Sequence, residues 1–191
     1  MTKIAIARVL HDTPAEGPHR RSAVWVRGCS IRCAGCINPH LFAFESPTTD
    51  VQKLATAIVA TGVEGLTLLG GEPFDQAGAC AELANAIRSA GLGVITFTGY
   101  THESLSSGTR DQRRLVQATD LLVDGPFMAE RRETERSLVG STNQRFVHLT
   151  DRYQGFQPTE HPNRLDVRIS PEGETRLAGF LRPAELRHIQ K

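Results

Sequence analysis

This sequence is poor in the features that mark membrane, secreted and nucleic-acid-binding proteins. No apolar run approaches the roughly 20 residues of a membrane span. Met-Thr-Lys-Ile leads straight into an alternating apolar stretch, so a signal peptide is not expected. Cysteine is scarce, four residues in 191, and three of the four crowd into one loop. That excludes a disulfide framework and points to a reducing cytosol. The formal net charge is only +1, which gives no large sequence-independent attraction to nucleic acid. Lysine is nearly absent beside arginine, a skew that reflects genome base composition more than a binding code. Neither a Ser-His-Asp nor a His-Glu-x-x-His constellation appears, so no catalytic residue of those kinds is expected. A chain of this length can still bury a substantial core.

What is present is concentrated. Arg27-Gly-Cys-Ser-Ile-Arg-Cys-Ala-Gly-Cys-Ile-Asn-Pro39 carries Cys29, Cys33 and Cys36 as C-x3-C-x2-C. Three thiolates within eight residues can hold three corners of an iron–sulfur cube and leave the fourth iron without a protein ligand. An electron-transfer [4Fe–4S] centre takes four cysteines, so an open iron is a place for chemistry. Two other readings stand beside this one. With His40 the pattern extends to C-x3-C-x2-C-x3-H, four ligands for a structural zinc. Two of the cysteines can also be a redox pair.

Leu66-Thr-Leu-Leu-Gly-Gly-Glu-Pro-Phe74 is the second concentration. Leu66–Leu69 reads as a buried strand, and Gly70-Gly71 at its end let the backbone approach a ligand where a Cβ would intrude. Ligands of parallel α/β sheets sit outside the carboxyl ends of strands. The plainer reading is a strand-to-helix turn, with Pro73 starting the helix.

Strand and helix patterns alternate along the chain. Ile4–Leu10, Ala23–Arg27, Leu66–Leu69, Val94–Thr98, Leu121–Val123, Arg145–Leu149, Leu165–Ile169 and Thr175–Leu177 read as strands. Thr49-x-x-Gln52 has capping-box spacing and predicts a helix with Val51, Leu54, Ile58 and Val59 on one face. A helix from about Asp75 carries Leu83 and Ile87 and stops at Gly91, and Thr109-x-x-Gln112 opens another. Pro183 reads as the first turn of a terminal helix. Asp151–Asn163, rich in Gln, Pro and His, reads as a surface loop. This is the pattern of an α/β protein with a parallel sheet. Periodicity does not separate an open sheet from a barrel.

The two concentrations together resemble the radical S-adenosylmethionine (SAM) superfamily. Gly17-Pro-His-Arg-Arg21, Cys36-Ile-Asn-Pro39, Phe97-Thr-Gly-Tyr100, Asp124-Gly-Pro-Phe127 and Gly140-Ser-Thr-Asn-Gln-Arg145 follow in order. They are similar to the glycyl-radical-activating branch, specifically its anaerobic ribonucleotide reductase activases. The resemblance runs from about residue 4 to residue 180. Gly35 stands where many superfamily members have an aromatic residue, and the stretch between Gly140 and Pro171 is longer than in the smallest activases.

The resemblance implies a single radical SAM domain over 1–191, a partial (β/α)6-type barrel with its cluster loop at 28–39 and C-terminal strands and helix at about 165–191. It implies a [4Fe–4S] cluster on Cys29, Cys33 and Cys36, with SAM chelating the fourth iron. Gly70, Gly71, Glu72 and Pro73 would hold the SAM amino group. Thr98, Asp124, Asn143 and Arg145 would line or support the cofactor, although Asp124-Gly-Pro is also a turn former and Asn143–Arg145 can equally be a solvated turn. Arg27 and Arg32 flank the loop and would either tune the cluster or be solvated. Only Cys80 is left over, too little for an auxiliary cluster, and it reads as a buried small side chain on a helix. The implied activity is formation of a glycyl radical on a partner enzyme, with a flavodoxin or ferredoxin as reductant, in the cytoplasm. A single-cluster enzyme acting on a small metabolite or peptide is the alternative, and a non-enzymatic zinc or cluster module stands behind it.

Overall fold

The computed structural model describes residues 1–44 and 47–180; the helix expected from Pro183 lies outside the described residues. The first two strands, β1 (Lys3–Thr13) and β2 (Arg21–Val26), pair antiparallel. A short strand β3 (Thr48–Asp50) joins the far side of β1 and leads into helix α1 (Val51–Ala60). Then come β4 (Gly65–Gly70), helix α2 (Ala77–Ser89), β5 (Gly93–Phe97), helices α3 (His102–Ser106) and α4 (Arg110–Gln117), and β6 (Leu121–Asp124). Strand β7 (Arg145–His148) returns antiparallel to β6. The sheet order is β3-β1-β2-β4-β5-β6-β7, and β8 (Leu165–Ile169) with β9 (Thr175–Gly179) makes a separate hairpin.

The α/β expectation holds, with parallel pairing confined to β2, β4, β5 and β6 and antiparallel strands on both flanks. Those four strands are buried on both faces and mostly apolar, with Arg21, Ser22, Thr67, Thr96 and Asp124 as buried polar exceptions. All four therefore end at the same edge of the sheet. One face packs on the helices: Val24, Val26, Leu66, Leu68, Val94 and Leu122 meet Leu54, Ile58, Cys80, Leu83, Ile87 and Leu115. Thr109 and Gln112 form the expected capping box of α4. The cap of α1 is Asp50, whose carboxylate accepts from Lys53 N at 3.0 Å; the expected cap, Thr49, is used up in β3 opposite Ile4. Val59 turns to solvent and Ala55 takes its place against the sheet.

The opposite face has no α-helix among the described residues. Leu138, Val139, Tyr153 and Phe156 cover Ile95, Leu121 and Val123, while Ala178 of β9 and Leu41 cover Ala23, Trp25 and Leu69. The stretch 151–163 is thus only partly the surface loop its composition suggests, because Tyr153 and Phe156 are buried lids on the sheet. Beneath Tyr153 lies Arg21, wholly buried. Its guanidinium donates to Thr67 Oγ1 (2.6 Å), Pro18 O (2.6 Å), Leu66 O (3.0 Å), Tyr153 Oη (3.1 Å) and Glu64 Oε2 (3.2 Å). Five donated bonds satisfy a charge that would otherwise be prohibitive to bury.

Side chains tie the hairpin to β1 and to the segment that follows it, and Arg168 of β8 donates to Asp12 O at 3.0 Å. Arg8 stacks on Trp25 at 3.7 Å and donates to Leu177 O at 2.6 Å. Glu16 Oε1 accepts from Gly179 N at 2.7 Å. Burial pushes the Glu16 carboxyl up to about 7, against the opposing pull of the Gly179 N–H and Arg8.

Two outcomes follow for stability. Arg21→Ala removes the buried cation from Glu64 and Tyr153, which keep only each other and Arg152, and is expected to cost about 3 kcal/mol in urea unfolding, against about 1 kcal/mol for Thr109→Ala. Equal costs would contradict the structural role given to Arg21. Folded Glu16 keeps a proton that the unfolded chain releases near its ordinary 4.5. Its contribution is therefore complete below that pH and is lost as pH rises through about 7. Urea midpoints of the cluster-free chain should fall less over this window in Glu16→Gln than in the parent.

Candidate active site

The turn after β2 is the cysteine loop. Its path is held by backbone pairing at both ends: Gly28 N donates to Leu41 O at 2.9 Å and Cys29 N to Phe42 O at 3.3 Å. Gly35 adopts φ +77, with only ordinary contacts where a Cβ would sit, so its conformation is what calls for glycine. An aromatic residue there would be strained. Arg32 takes a left-handed φ of 51, and the Ile31 and Arg32 N–H groups face the Cys29 sulfur. The Phe127 N–H faces Cys33, and Asn38 N lies 3.4 Å from Cys36 Sγ. Burial pushes the Cys29 and Cys33 thiols up, and these N–H groups oppose it. Each sulfur thus has a backbone donor aimed at it, which suits anionic sulfur.

The turn after β4 packs on that loop. Gly71 N donates to Val26 O at 2.9 Å and Glu72 N to Gly28 O at 2.7 Å, so β2–β4 pairing continues past the sheet edge. Gly70 sits at φ +113, where a Cβ would come within 2.7 Å of Trp25 Cα and Val26 N. A Cβ on Gly71 would press into the Gly28 carbonyl, 2.9 Å from its carbon. The glycine pair therefore lets the two motif turns touch. Glu72 closes the joint from below. Its buried carboxylate accepts from Thr98 Oγ1 (2.8 Å), Gly99 N (2.9 Å) and Phe74 N (3.0 Å). Burial raises it to about 7.

A cavity of about 150 Å³ opens at this junction, lined by Cys29, Cys33, Cys36, Gly70, Gly71, Glu72, Thr98 and Gly99, with Ile31, Phe42, Phe97, Gly125, Phe127 and Gln144 completing it. Of the residues expected to serve a cofactor, Gly70, Gly71, Glu72 and Thr98 meet the cysteines there. Pro73, Asp124, Asn143 and Arg145 do not line it. Pro73 is buried in the 3-10 turn Pro73–Gln76. The fully buried Asp124 carboxylate accepts from Arg145 Nε at 2.9 Å and from His102 N at 2.7 Å. Arg145 also pairs with Glu103. Asn143 donates to Pro126 O at 2.8 Å. These residues brace the loop that carries Phe127.

Phe97, Phe127 and Gln144 stand inside motifs that the sequence reading quoted, yet nothing local marks them as lining. Gln144 Oε1 accepts from Gly140 N and Ser141 N, which aims the residue across the loop.

Three cysteines line this cavity with no histidine and no fourth cysteine beside them among the described residues, one short of the four ligands a structural zinc takes. His40 lines a separate cavity on the other side of the loop, between Trp25 and β9. Cys80 lies buried on α2 against the helical face of the sheet, and burial raises its thiol far above the ordinary value.

Comparison with known protein sequences agrees with a cluster here. A family profile described as a 4Fe-4S single cluster domain matches residues 15–147. The anaerobic ribonucleoside-triphosphate reductase-activating protein of Vibrio cholerae is 30% identical over 138 residues, covering 67% of this chain and 87% of the relative. The protein of the same name from Escherichia coli K12 is 27% identical over 143 residues, covering 70% and 91%. Among solved structures, QueE from Escherichia coli superposes with a TM-score of 0.47 at 16% identity, over 66% of this chain and 60% of that one. With most of its length inside the profile and a relative matched nearly end to end, this chain belongs to the 4Fe–4S single-cluster family, among the anaerobic ribonucleoside-triphosphate reductase-activating proteins.

Proposed function

We propose that this chain is a radical SAM activase. Cys29, Cys33 and Cys36 hold a [4Fe–4S] cluster, SAM occupies the fourth iron, and the product is a glycyl radical on an anaerobic ribonucleotide reductase. One observation carries the reading: the three-cysteine loop and the Gly-Gly-Glu-Pro turn close on a single cavity, with no fourth cysteine in its lining. When bound there, the cluster and SAM supply a one-electron cleavage of the sulfonium and a carbon radical able to take a hydrogen atom from glycine Cα.

The chain's own residues orient and enclose. The turn at Gly70–Glu72 offers backbone at the cavity wall, where an ammonium group can be held without displacing a side chain. Thr98 and Gly99 hold the Glu72 carboxylate in place beneath it. Phe42, Phe97 and Phe127 make the remaining wall apolar, which excludes water from a reactive centre. Pro73 starts the turn behind the site, and Asp124, Asn143 and Arg145 support SAM indirectly by bracing the opposite wall. No general base is required, in keeping with the absence of a histidine from the lining among the described residues.

An external one-electron donor such as a flavodoxin or ferredoxin is the matching reductant. Four cysteines without disulfide bonds suit the cytoplasm, and no described helix is long and apolar enough to cross a membrane.

The test is anaerobic reconstitution with iron and sulfide, reduction, and quantification of 5′-deoxyadenosine formed from SAM. Cys33→Ala should bring the yield to background. Gly71→Ala, which forces the two turns apart, should lower it about 10²-fold, the scale on which a misplacement near 1 Å acts. A fully loaded parent protein that forms no 5′-deoxyadenosine would overturn the proposal.

A further inference from the structure

Three of the loops at the carboxyl edge meet at one carboxylate outside the cavity lining. Asp75 lies in the turn after Pro73, following β4. Ser30 lies in the cysteine loop after β2, next to Cys29. Tyr100 lies in the turn after β5. Asp75 Oδ2 accepts from the Ser30 backbone N–H at 2.6 Å. Asp75 Oδ1 accepts from Ser30 Oγ at 3.0 Å and from Tyr100 Oη at 2.9 Å. Ser30 Oγ and Tyr100 Oη are themselves 2.9 Å apart, so the serine hydroxyl proton can serve either oxygen.

The short bond to the Ser30 N–H matters most. That N–H belongs to the peptide unit joining Cys29 to Ser30, so an ionised acceptor on it sets the plane of that unit. The direction in which Cys29 leaves the chain is set with it. Charge-assisted bonds of this kind are about twice as strong as neutral ones. The same contact brings a full negative charge to within one residue of a cluster ligand. Nearby charge and hydrogen bonding are the protein's means of setting a cluster's reduction potential, and an anionic neighbour disfavours the added electron.

We propose that Asp75 is the positioning residue of the cysteine loop, anchoring the Cys29–Ser30 peptide and holding the cluster's reduction potential low, with Tyr100 as its brace. The potential part rests on the proposed placement of a cluster at Cys29, Cys33 and Cys36; the anchoring part does not.

The test has two arms. In cluster-free protein, the Ser30 amide proton should resonate downfield in the parent and move upfield in Asp75→Ala, while Tyr100→Phe keeps it downfield. In reconstituted protein, an anaerobic redox titration followed by electron paramagnetic resonance should give a more positive midpoint for Asp75→Asn. Tyr100→Phe keeps the charge, and its midpoint should not rise. An unmoved Ser30 resonance in Asp75→Ala overturns the anchor. An Asp75→Asn midpoint equal to the parent's overturns the electrostatic role. Neither arm uses SAM, so failure here is distinguishable from failure of the activase proposal.

Discussion

The hydrogen bond from the Glu72 N–H to the Gly28 carbonyl, at 2.7 Å, is the contact on which the site depends. It extends the parallel pairing of β2 and β4 by one step beyond the sheet and locks the cysteine loop to the Gly-Gly-Glu-Pro turn. It can form only because Gly71 has no side chain, since a Cβ there would occupy the space of the Gly28 carbonyl. Much of the local structure serves that junction. Glu72 is held from below by Thr98, Gly99 and Phe74, and Gln76 donates to both Ala5 O and Arg27 O. The turns after β2, β4 and β5 thereby form one connected rim.

The electrostatics of the rim are lopsided. Two carboxyl groups, Glu72 and Asp75, lie on the β4 side of the cysteine loop, while the guanidinium groups of Arg145 and Arg27 are directed elsewhere. Arg145 is spent on Asp124 and Glu103, and Arg27 donates to His40 O. Backbone N–H groups do the neutralising at the sulfurs themselves. Dipoles aimed at fixed positions stabilise charge without adding a mobile counterion. The arrangement suits a centre that has to give up an electron at low potential.

How much of this was legible in the sequence varied with the range of the interactions. The cysteine spacing and the glycine pair were readable because each is local and answers to backbone sterics. The buried strands β2, β4 and β5 were readable as apolar runs, those of β4 and β5 bounded by glycine at both ends. The cap of α1 was misplaced by one residue, since Thr49 and Asp50 are both good caps and only pairing of Thr49 with Ile4 decides between them. The cover supplied by Tyr153 and Phe156 was hidden in a polar stretch. Its reason, the buried Arg21 beneath, lies 132 residues away. Asp124 and Arg145 were singled out as cofactor residues individually. Their attraction to each other across 21 residues, which draws both from the cavity, has no local sign.

The central claim is that the cavity holds a cluster with one iron not ligated by the protein, and that SAM binds to that iron. Mössbauer spectroscopy of protein reconstituted with ⁵⁷Fe, recorded before and after SAM is added, tests it most directly. The account predicts that one iron subsite shifts on SAM addition while the other three stay as they were. Four irons indifferent to SAM, or a protein that retains zinc in place of a cluster, would contradict it.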